Sequence, residues 1–158
     1  DFGLRLGNEF SIHSVNSSGV MIASGITLRN YGTVLVSVAD EDKEETIPLV
    51  RRFYNMGFNI EATTLTGEVL RENGIRTRIL GKPSEGSEEV LDSIRAGYVS
   101  YVINTRAILS GKHFGDGVAI RQCAAQNNIA MLTNLDTVKM LLDVLEEVTL
   151  GISTIDKG

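Results

Sequence analysis

Polar side chains that could bind an anion follow the apolar runs of this chain. Lys43 and Lys82 supply positive charge, and hydroxyl and amide side chains after the same runs supply hydrogen-bond donors. Some of these residues precede predicted helices, whose first backbone N–H groups also favour an anion. Together they suit the oxygens of a phosphate group that carries a polar moiety. The predicted site consists of Ser37, Lys43, Thr63, Thr66, Lys82, Asn104 and Thr105.

Each of these residues also has an ordinary structural role. Thr63 or Thr66 could cap a helix, either lysine could be a solvated surface residue, and Asn104 could satisfy its own turn. Their common position favours binding instead. In an open sheet of parallel strands, residues after each strand meet outside the carboxyl ends, where ligands bind.

Other chemistries lack their residues. Neither a G-x-G-x-x-G nor a G-x-x-x-x-G-K-[ST] pattern is present, which disfavours a dinucleotide or P-loop site. His13 and His113 stand alone, so neither a metal cluster nor a catalytic triad is indicated. Cys123, the only cysteine, excludes an intramolecular disulfide and is predicted to be a buried structural thiol in a reducing compartment.

Apolar periodicity predicts the elements that position the site. Continuous runs rich in β-branched residues are typical of strands buried on both faces, and they alternate with amphipathic segments. This pattern predicts an α/β fold with a doubly wound, five-stranded parallel sheet flanked by helices. Predicted strands cover residues 34–39, 58–62, 77–80, 99–103 and 129–132, and predicted helices cover residues 43–56, 66–73, 88–96, 117–127 and 135–147.

The 158 residues predict one domain with additional segments at both ends. Residues 1–32 are interpreted as a linker or the tail of a preceding domain with a short helix near 20–23, residues 33–150 as the domain, and residues 151–158 as a C-terminal tail. Because the chain begins with Asp1, we expect a fragment of a longer protein. Pro48 suggests that the first helix begins after residue 43. Residues 111–117 are predicted to be an exposed loop, with a lid as the alternative.

Composition limits the partners. A net charge of −5 and a pI near 5.0 argue against a nucleic-acid surface. No apolar run approaches the roughly 20 residues that span a bilayer, and no signal peptide pattern is present. We therefore expect a cytoplasmic protein that binds neither nucleic acid nor membrane.

At these residues the chain resembles the C-terminal allosteric domain of the carbamoyl-phosphate synthetase large subunit, which has a methylglyoxal-synthase-like fold. The resemblance covers about residues 20–148 and includes residues 23–26, which look like the end of a helix leading into the domain. The other matching stretches are residues 34–45, Ala62-Thr63 with Thr66, Lys82 with Glu85-Gly86, residues 102–105, and Ile120-Arg121 with Ala124.

The resemblance implies a regulatory domain without catalysis or a cofactor of its own. It implies binding of a nucleoside monophosphate, uridylate or inosinate, which controls carbamoyl phosphate synthesis for pyrimidine and arginine biosynthesis. The parent enzyme would be an ATP- and Mg-dependent ligase with a glutaminase small subunit, and homo-oligomer contacts are possible. Lys43, Thr63, Thr66 and Lys82 would hold the phosphate, while Ser37, Asn104 and Thr105 would line the rest of the pocket.

The sequence departs from the family pattern at four positions. Leu65 replaces the usual Gly, Gly81 replaces Asn, and Arg106 replaces a small hydroxyl residue or a glycine-rich turn. Asn134 stands where a second Thr is common.

The alternative function is a free-standing methylglyoxal-synthase-like phosphate lyase. That reaction needs a carboxylate base beside the substrate. The family's Gly-Gly-Asp is missing at residues 85–89, and its His-Asp pair is missing at residues 39–41. These absences favour the binding module.

Overall fold

The computed structural model describes the backbone of residues 12–15, 21–23, 26–105 and 112–157, and the side-chain surroundings of residues 29–105 and 115–149. The N-terminal elements are three short strands, β1 (Ile12–Val15), β2 (Met21–Ala23) and β3 (Ile26–Leu28), which form an antiparallel sheet in that order. No helix in these described ranges is both long and apolar enough to cross a membrane.

A second sheet contains five parallel strands, which confirms the predicted fold class. The strand order is β6-β5-β4-β7-β8, so the chain starts in the centre, builds one side and then crosses over to the other. The strands are β4 (Thr33–Ser37), β5 (Asn59–Thr63), β6 (Thr77–Leu80), β7 (Val99–Asn104) and β8 (Ala130–Leu132).

Five α-helices accompany these strands, as predicted. Two short 3-10 turns, Asp40–Asp42 and Pro83–Glu85, follow β4 and β6. The helices are α1 (Lys43–Asn55), α2 (Thr64–Glu72), α3 (Glu89–Arg95), α4 (Lys112–Gln126) and α5 (Leu135–Lys157).

Alternate residues of the central strands enter two separate cores. Val34 and Val36 of β4 pack with residues of α1, α2 and α5, whereas Leu35 between them packs with residues of α3 and α4. The aromatic rings of Phe53 and Phe58 meet edge to face with centroids 5.2 Å apart. Burial on both faces explains why the strand sequences are continuously apolar.

Several predicted helix boundaries were wrong. Helix α4 begins at Lys112, so residues 112–117 are not an exposed loop; residues 106–111 lie outside the described residues. Asp116 is buried and bonded to Ser84, and that tertiary contact offsets the weak helix propensity of the flanking glycines.

The predicted start of α1 and the predicted end of α5 were also wrong. Helix α1 begins at Lys43 and contains Pro48, whose exposed position leaves the missing N–H at the helix surface. Helix α5 continues to Lys157 rather than ending near residue 147.

The helix predicted near residues 20–23 is instead a strand. Residues Met21–Ala23 pair with Ile26–Leu28 in antiparallel register, with Ala23 opposite Ile26. Ala23 and Ile26 therefore lie in paired strands rather than at the end of a helix, while residues 24 and 25 lie outside the described residues. The domain boundaries at residues 33 and 150 stay predictions.

Candidate functional site

The predicted polar residues lie along the carboxyl edge of the five-stranded sheet. Ser37 and Asn104 are the last residues of β4 and β7 and are direct register partners. Thr63 ends β5, the neighbour of β4 on the other side. Between β4 and β7 the order of strand addition reverses, and this switch point is the usual ligand position in open α/β sheets.

Buried hydroxyl groups connect the strand ends. The Thr63 hydroxyl donates a hydrogen bond to Ser37 Oγ at 3.1 Å. Thr66 Oγ1, in the first turn of α2, accepts the backbone N–H of Val38 at 3.2 Å. All three side chains are buried. In the described part of the chain the protons of Ser37 and Thr66 are not donated, so both hydroxyls retain a donor for a ligand.

The hydroxyl of Thr105 makes an equivalent contact from the other side of β4. Its Oγ1 accepts the backbone N–H of Ala39 at 2.9 Å, and the side chain is buried. Two threonines from different elements therefore hold the two backbone N–H groups that follow β4. The backbone conformation of Val38 and Ala39 is therefore held by the same hydroxyl groups that lie at the candidate site.

Asn104 is fully buried, and neither its carboxamide oxygen nor its nitrogen has a hydrogen-bond partner among the described residues. Leaving a buried polar group unsatisfied costs about 1–3 kcal/mol. Because such groups are rare in folded proteins, this carboxamide is a candidate for contact with an ordered water or a ligand.

Lys82 follows β6 and is 6% exposed. The backbone that carries it is fixed by two carboxylates. Glu85 accepts the N–H of Lys82 at 3.1 Å. Asp116, from α4, accepts the N–H of Ser84 at 2.9 Å and its hydroxyl at 2.6 Å. These bonds hold the turn of Lys82 against α4.

Lys43 begins α1 and forms an ion pair with Asp40, which is itself largely exposed. The Lys43 side chain is only 13% exposed. The two predicted lysines thus lie near the edge as mostly buried cations. Their low exposure excludes the solvated surface role that either lysine could have had.

The departures from the family pattern leave the edge intact where the structure describes them. Leu65 is 52% exposed, and among described non-glycine residues only Asn128 has a positive φ, so position 65 does not require glycine. Gly81 is required, because a Cβ there would lie 2.6 Å from the Ser87 side chain. Arg106 lies outside the described residues.

An acidic cavity of about 250 Å³ adjoins this edge. Its carboxylates would repel the negative charge of a phosphate group. Asn134 uses its Oδ1 to accept the N–H of Asp136 at 2.7 Å and so caps α5. The cavity is lined by Asp42, Glu45, Thr105, Thr133, Asn134, Leu135 and Asp136. The described side chains contain no group of three or more His, Cys, Asp or Glu residues arranged for a metal ion.

Asp116 was not among the predicted site residues. Its two glycine neighbours suggested a loop, and no local signal indicated that the carboxylate would bond to Ser84. Asp116 and Ser84 are 32 residues apart in the sequence, and only the tertiary fold brings them together.

A family model named MGS-like domain matches residues 45–133, which is more than half of the chain. The chain belongs to the MGS-like domain family. The matched segment begins in α1 and ends after β8, so it includes Thr63, Thr66, Lys82, Asn104 and Thr105 of the predicted site.

Solved structures agree with this MGS-like fold. Methylglyoxal synthase from Elizabethkingia anophelis NUHP1 is 17% identical, with a TM-score of 0.57 over 73% of this chain and 79% of that one. The protein ForH is 18% identical, with a TM-score of 0.55 over 74% of this chain and 80% of that one. At these identities the likeness is one of fold.

Proposed function

We propose that this MGS-like domain is the regulatory module of a carbamoyl-phosphate synthetase large subunit and binds a nucleoside monophosphate, such as uridylate or inosinate. Binding would control carbamoyl phosphate synthesis for pyrimidine and arginine biosynthesis. The proposal combines family membership with the chemistry of the carboxyl edge.

The buried polar groups at the switch point carry the proposal. Ser37, Thr66 and Thr105 retain hydroxyl protons, and Asn104 retains an unpaired carboxamide. Lys82 adds positive charge beyond the end of β6, which is separated from β4 by β5. Hydroxyl and ammonium donors suit phosphate, while a carboxamide can both donate to and accept from a sugar or base.

Three of the carboxylates near this edge support binding rather than proton abstraction. Both oxygens of Asp116 accept bonds from Ser84, Glu85 accepts the N–H of Lys82, and Asp40 pairs with Lys43. A general base needs a lone pair within reach of the substrate proton. Carboxylates occupied in this way favour the regulatory module over the phosphate lyase.

The remaining parts of the proposed enzyme follow from this assignment. ATP and Mg²⁺ would bind elsewhere in the large subunit, and a glutaminase small subunit would supply ammonia. The module itself would need no cofactor, and it would act in the cytoplasm without binding nucleic acid or membrane. Contacts between copies of the enzyme are compatible with the proposal.

A thermal-shift experiment tests the phosphate site. Uridylate or inosinate should raise the melting temperature, whereas uridine or inosine should not. Ligand at a hundredfold excess over Kd stabilises the native state by about 2.7 kcal/mol. Lys82→Ala should weaken nucleotide binding at least about tenfold, because a charge-assisted contact contributes roughly 1.5–3 kcal/mol.

Arg51→Ala is the matched control, since Arg51 is exposed in the second half of α1 and donates to the Asn73 carbonyl after the end of α2. It should bind nucleotide as the wild type does. Equal shifts with nucleoside and nucleotide, or unchanged binding in Lys82→Ala, would show that the phosphate site is misplaced.

A further inference from the structure

A much larger cleft lies at the opposite, amino edge of the five-stranded sheet. Its volume is about 1020 Å³, and its lining includes residues at the beginnings of β4, β5 and β6. The candidate phosphate site at the carboxyl edge shares none of its predicted residues with this lining. The cleft therefore requires a separate explanation.

Three arginines give the cleft an excess of positive charge. Arg71, Arg76 and Arg78 line it together with a single carboxylate, Glu61. Arg76 is exposed and makes no hydrogen bond or ion pair with the described residues. Arg71 uses its Nε to donate to the Thr77 carbonyl at 2.9 Å, which leaves the outer nitrogens of its guanidinium group available. In a chain of net charge −5, this local surplus is a specific feature.

Arg78 is oriented from beneath by a buried network. Its Nη1 lies 3.3 Å from Glu61 Oε2 and 3.4 Å from Tyr98 Oη, while two-thirds of its side chain remains exposed. Glu61 is buried and also accepts the Tyr98 hydroxyl at 2.8 Å and the Ser93 hydroxyl. The guanidinium group is thus partly fixed before any partner binds, which lowers the ordering cost of binding.

Tyrosine rings flank the same cleft. Tyr54 and Tyr98 line it and are 38% and 41% exposed. Tyr31 precedes the lining residue Gly32 and is 57% exposed, with the Arg29 guanidinium 5.6 Å from its ring centroid. Exposed tyrosines beside arginines are the residue types that dominate binding energy at protein–protein interfaces.

We propose that this amino-edge cleft is a docking surface for an acidic, extended segment of a partner protein. Carboxylates of that segment would pair with Arg71, Arg76 and Arg78, and its apolar side chains would contact Tyr54 and Tyr98. Charge complementarity identifies the partner's chemistry, and a cleft that follows the beginnings of three adjacent strands suits an extended chain. This inference does not depend on the function proposed for the opposite edge.

Fluorescence anisotropy with a labelled peptide, Glu-Glu-Leu-Glu-Glu-Leu, provides the test. The wild-type chain should bind this peptide in low salt and lose affinity as salt screens the charges. Arg76→Glu should weaken peptide binding at least tenfold, and the addition of Tyr54→Ala to this variant should weaken it further. Arg76 has no internal partner among the described residues, so its reversal should leave the fold, checked by circular dichroism, unchanged.

Three controls separate this surface from general attraction. Arg121→Glu reverses an exposed arginine outside the cleft lining and should retain binding. Lys82→Ala should also retain it, which distinguishes failure here from failure of the phosphate site. A peptide with glutamine in place of glutamate should not bind.

The proposal is wrong if the wild type does not bind the acidic peptide, or if Arg121→Glu weakens binding as much as Arg76→Glu. It is also wrong if the glutamine peptide binds equally well. Stabilisation by inorganic pyrophosphate that depends on Arg76, without peptide binding, would identify a small-anion site instead.

Discussion

A threonine hydroxyl can hold the backbone and still bind a ligand, because its oxygen accepts one hydrogen bond while its proton is donated elsewhere. Thr66 and Thr105 accept the N–H groups of Val38 and Ala39, and neither donates to another described residue. A ligand at the carboxyl edge would therefore meet donors whose positions are already fixed. Such preorganisation reduces the entropy lost on binding.

Parallel strand geometry is why the site residues could be predicted. The position of Thr63 and Asn104 at strand ends follows from apolar periodicity, since strands of one direction end at one edge. The first strand was predicted to continue to residue 39 but ends at Ser37. The unpaired state of the Asn104 carboxamide could not be predicted, because it depends on side chains brought close by the tertiary fold. The buried Glu61 network on the other edge depends on similar long-range contacts.

The buried thiol of Cys123 gives a prediction at this scale. Cys123 is 5% exposed, as expected from its sequence surroundings, and burial raises the pKa of its thiol above the ordinary value. The Cys123 thiol therefore forms less thiolate at neutral pH, and a thiol reagent has little access to the buried sulfur. Dithionitrobenzoate should label the native protein slowly and the urea-unfolded protein rapidly. Equal rates in the two states would contradict the packing of α4.

At the scale of elements, α2 lies unusually close to β6. A Cβ added at Gly67 would be 2.5 Å from Ile79 Cγ1 and 3.1 Å from its Cδ1. This close approach places the first turn of α2, with Thr66, against the sheet. The helical backbone conformation at Gly67 is open to any residue, so it is the close packing against Ile79 that requires glycine here.

Gly67→Ala should therefore lower the free energy of unfolding, by about 1–3 kcal/mol, the usual cost of overpacking a core. Gly115→Ala is the matched control in α4, where the added Cβ meets no atom within 4 Å. That variant should gain up to about 1 kcal/mol from helix propensity. Urea unfolding of both variants measures the contrast, and a stabilised Gly67→Ala would show that α2 is more loosely packed than described.

Arg52 joins α1 to α5. Its Nε and Nη2 donate to the two carboxylate oxygens of Glu146 at 3.0 and 2.6 Å, and Nη2 also donates to Asp143 at 2.7 Å. These bonds raise the pKa of Arg52, with the Glu146 contact contributing most. The two helices are thus linked by a bidentate ion pair in addition to their apolar contacts.

Arg52→Ala should reduce the free energy of unfolding by about 1 kcal/mol, near the upper limit for a partly exposed ion pair. Arg52→Lys should recover only part of this, since an ammonium group cannot bind a carboxylate in bidentate geometry. The loss of unfolding free energy in Arg52→Ala relative to the wild type should become smaller at high salt. Full recovery by lysine in urea titrations would mean that charge alone joins the helices.

Sequence periodicity located the helices but not all of their ends. Helix α5 has its apolar stripe within residues 135–148, which indicated an end there, yet the backbone continues to Lys157. Helix α4 begins earlier than predicted because the Asp116–Ser84 contact supports a glycine-rich first turn. The error in α4 arises where helix propensity and a tertiary contact disagree.

At the scale of the whole molecule, the two edges of one sheet carry different chemistry. Hydroxyls and mostly buried lysines lie at the carboxyl edge, whereas exposed arginines and tyrosines lie at the amino edge. Strands β4 and β5 contribute residues to both edges, Thr33 and Ser37 from β4 and Glu61 and Thr63 from β5. The sheet therefore connects a candidate ligand site with a candidate docking surface.

Catalysis should be absent from the isolated chain. Three carboxylates near the carboxyl edge, those of Asp116, Glu85 and Asp40, are engaged by Ser84, by the Lys82 N–H and by Lys43, so we expect no turnover of dihydroxyacetone phosphate. Phosphate release should equal that of a buffer blank in a colorimetric assay. Release above the blank that disappears in Lys82→Ala would instead support the phosphate lyase.

The central position of β4 also affects how the chain folds during synthesis. One neighbour, β5, follows it closely, but the other, β7, begins only at Val99, about 60 residues after Ser37. At roughly 5–20 residues per second, one side of β4 stays unpaired for about 3–12 s as the chain emerges. An open apolar strand edge can pair with another chain during that interval. Slower translation of residues 64–98 should therefore lower the yield of folded protein.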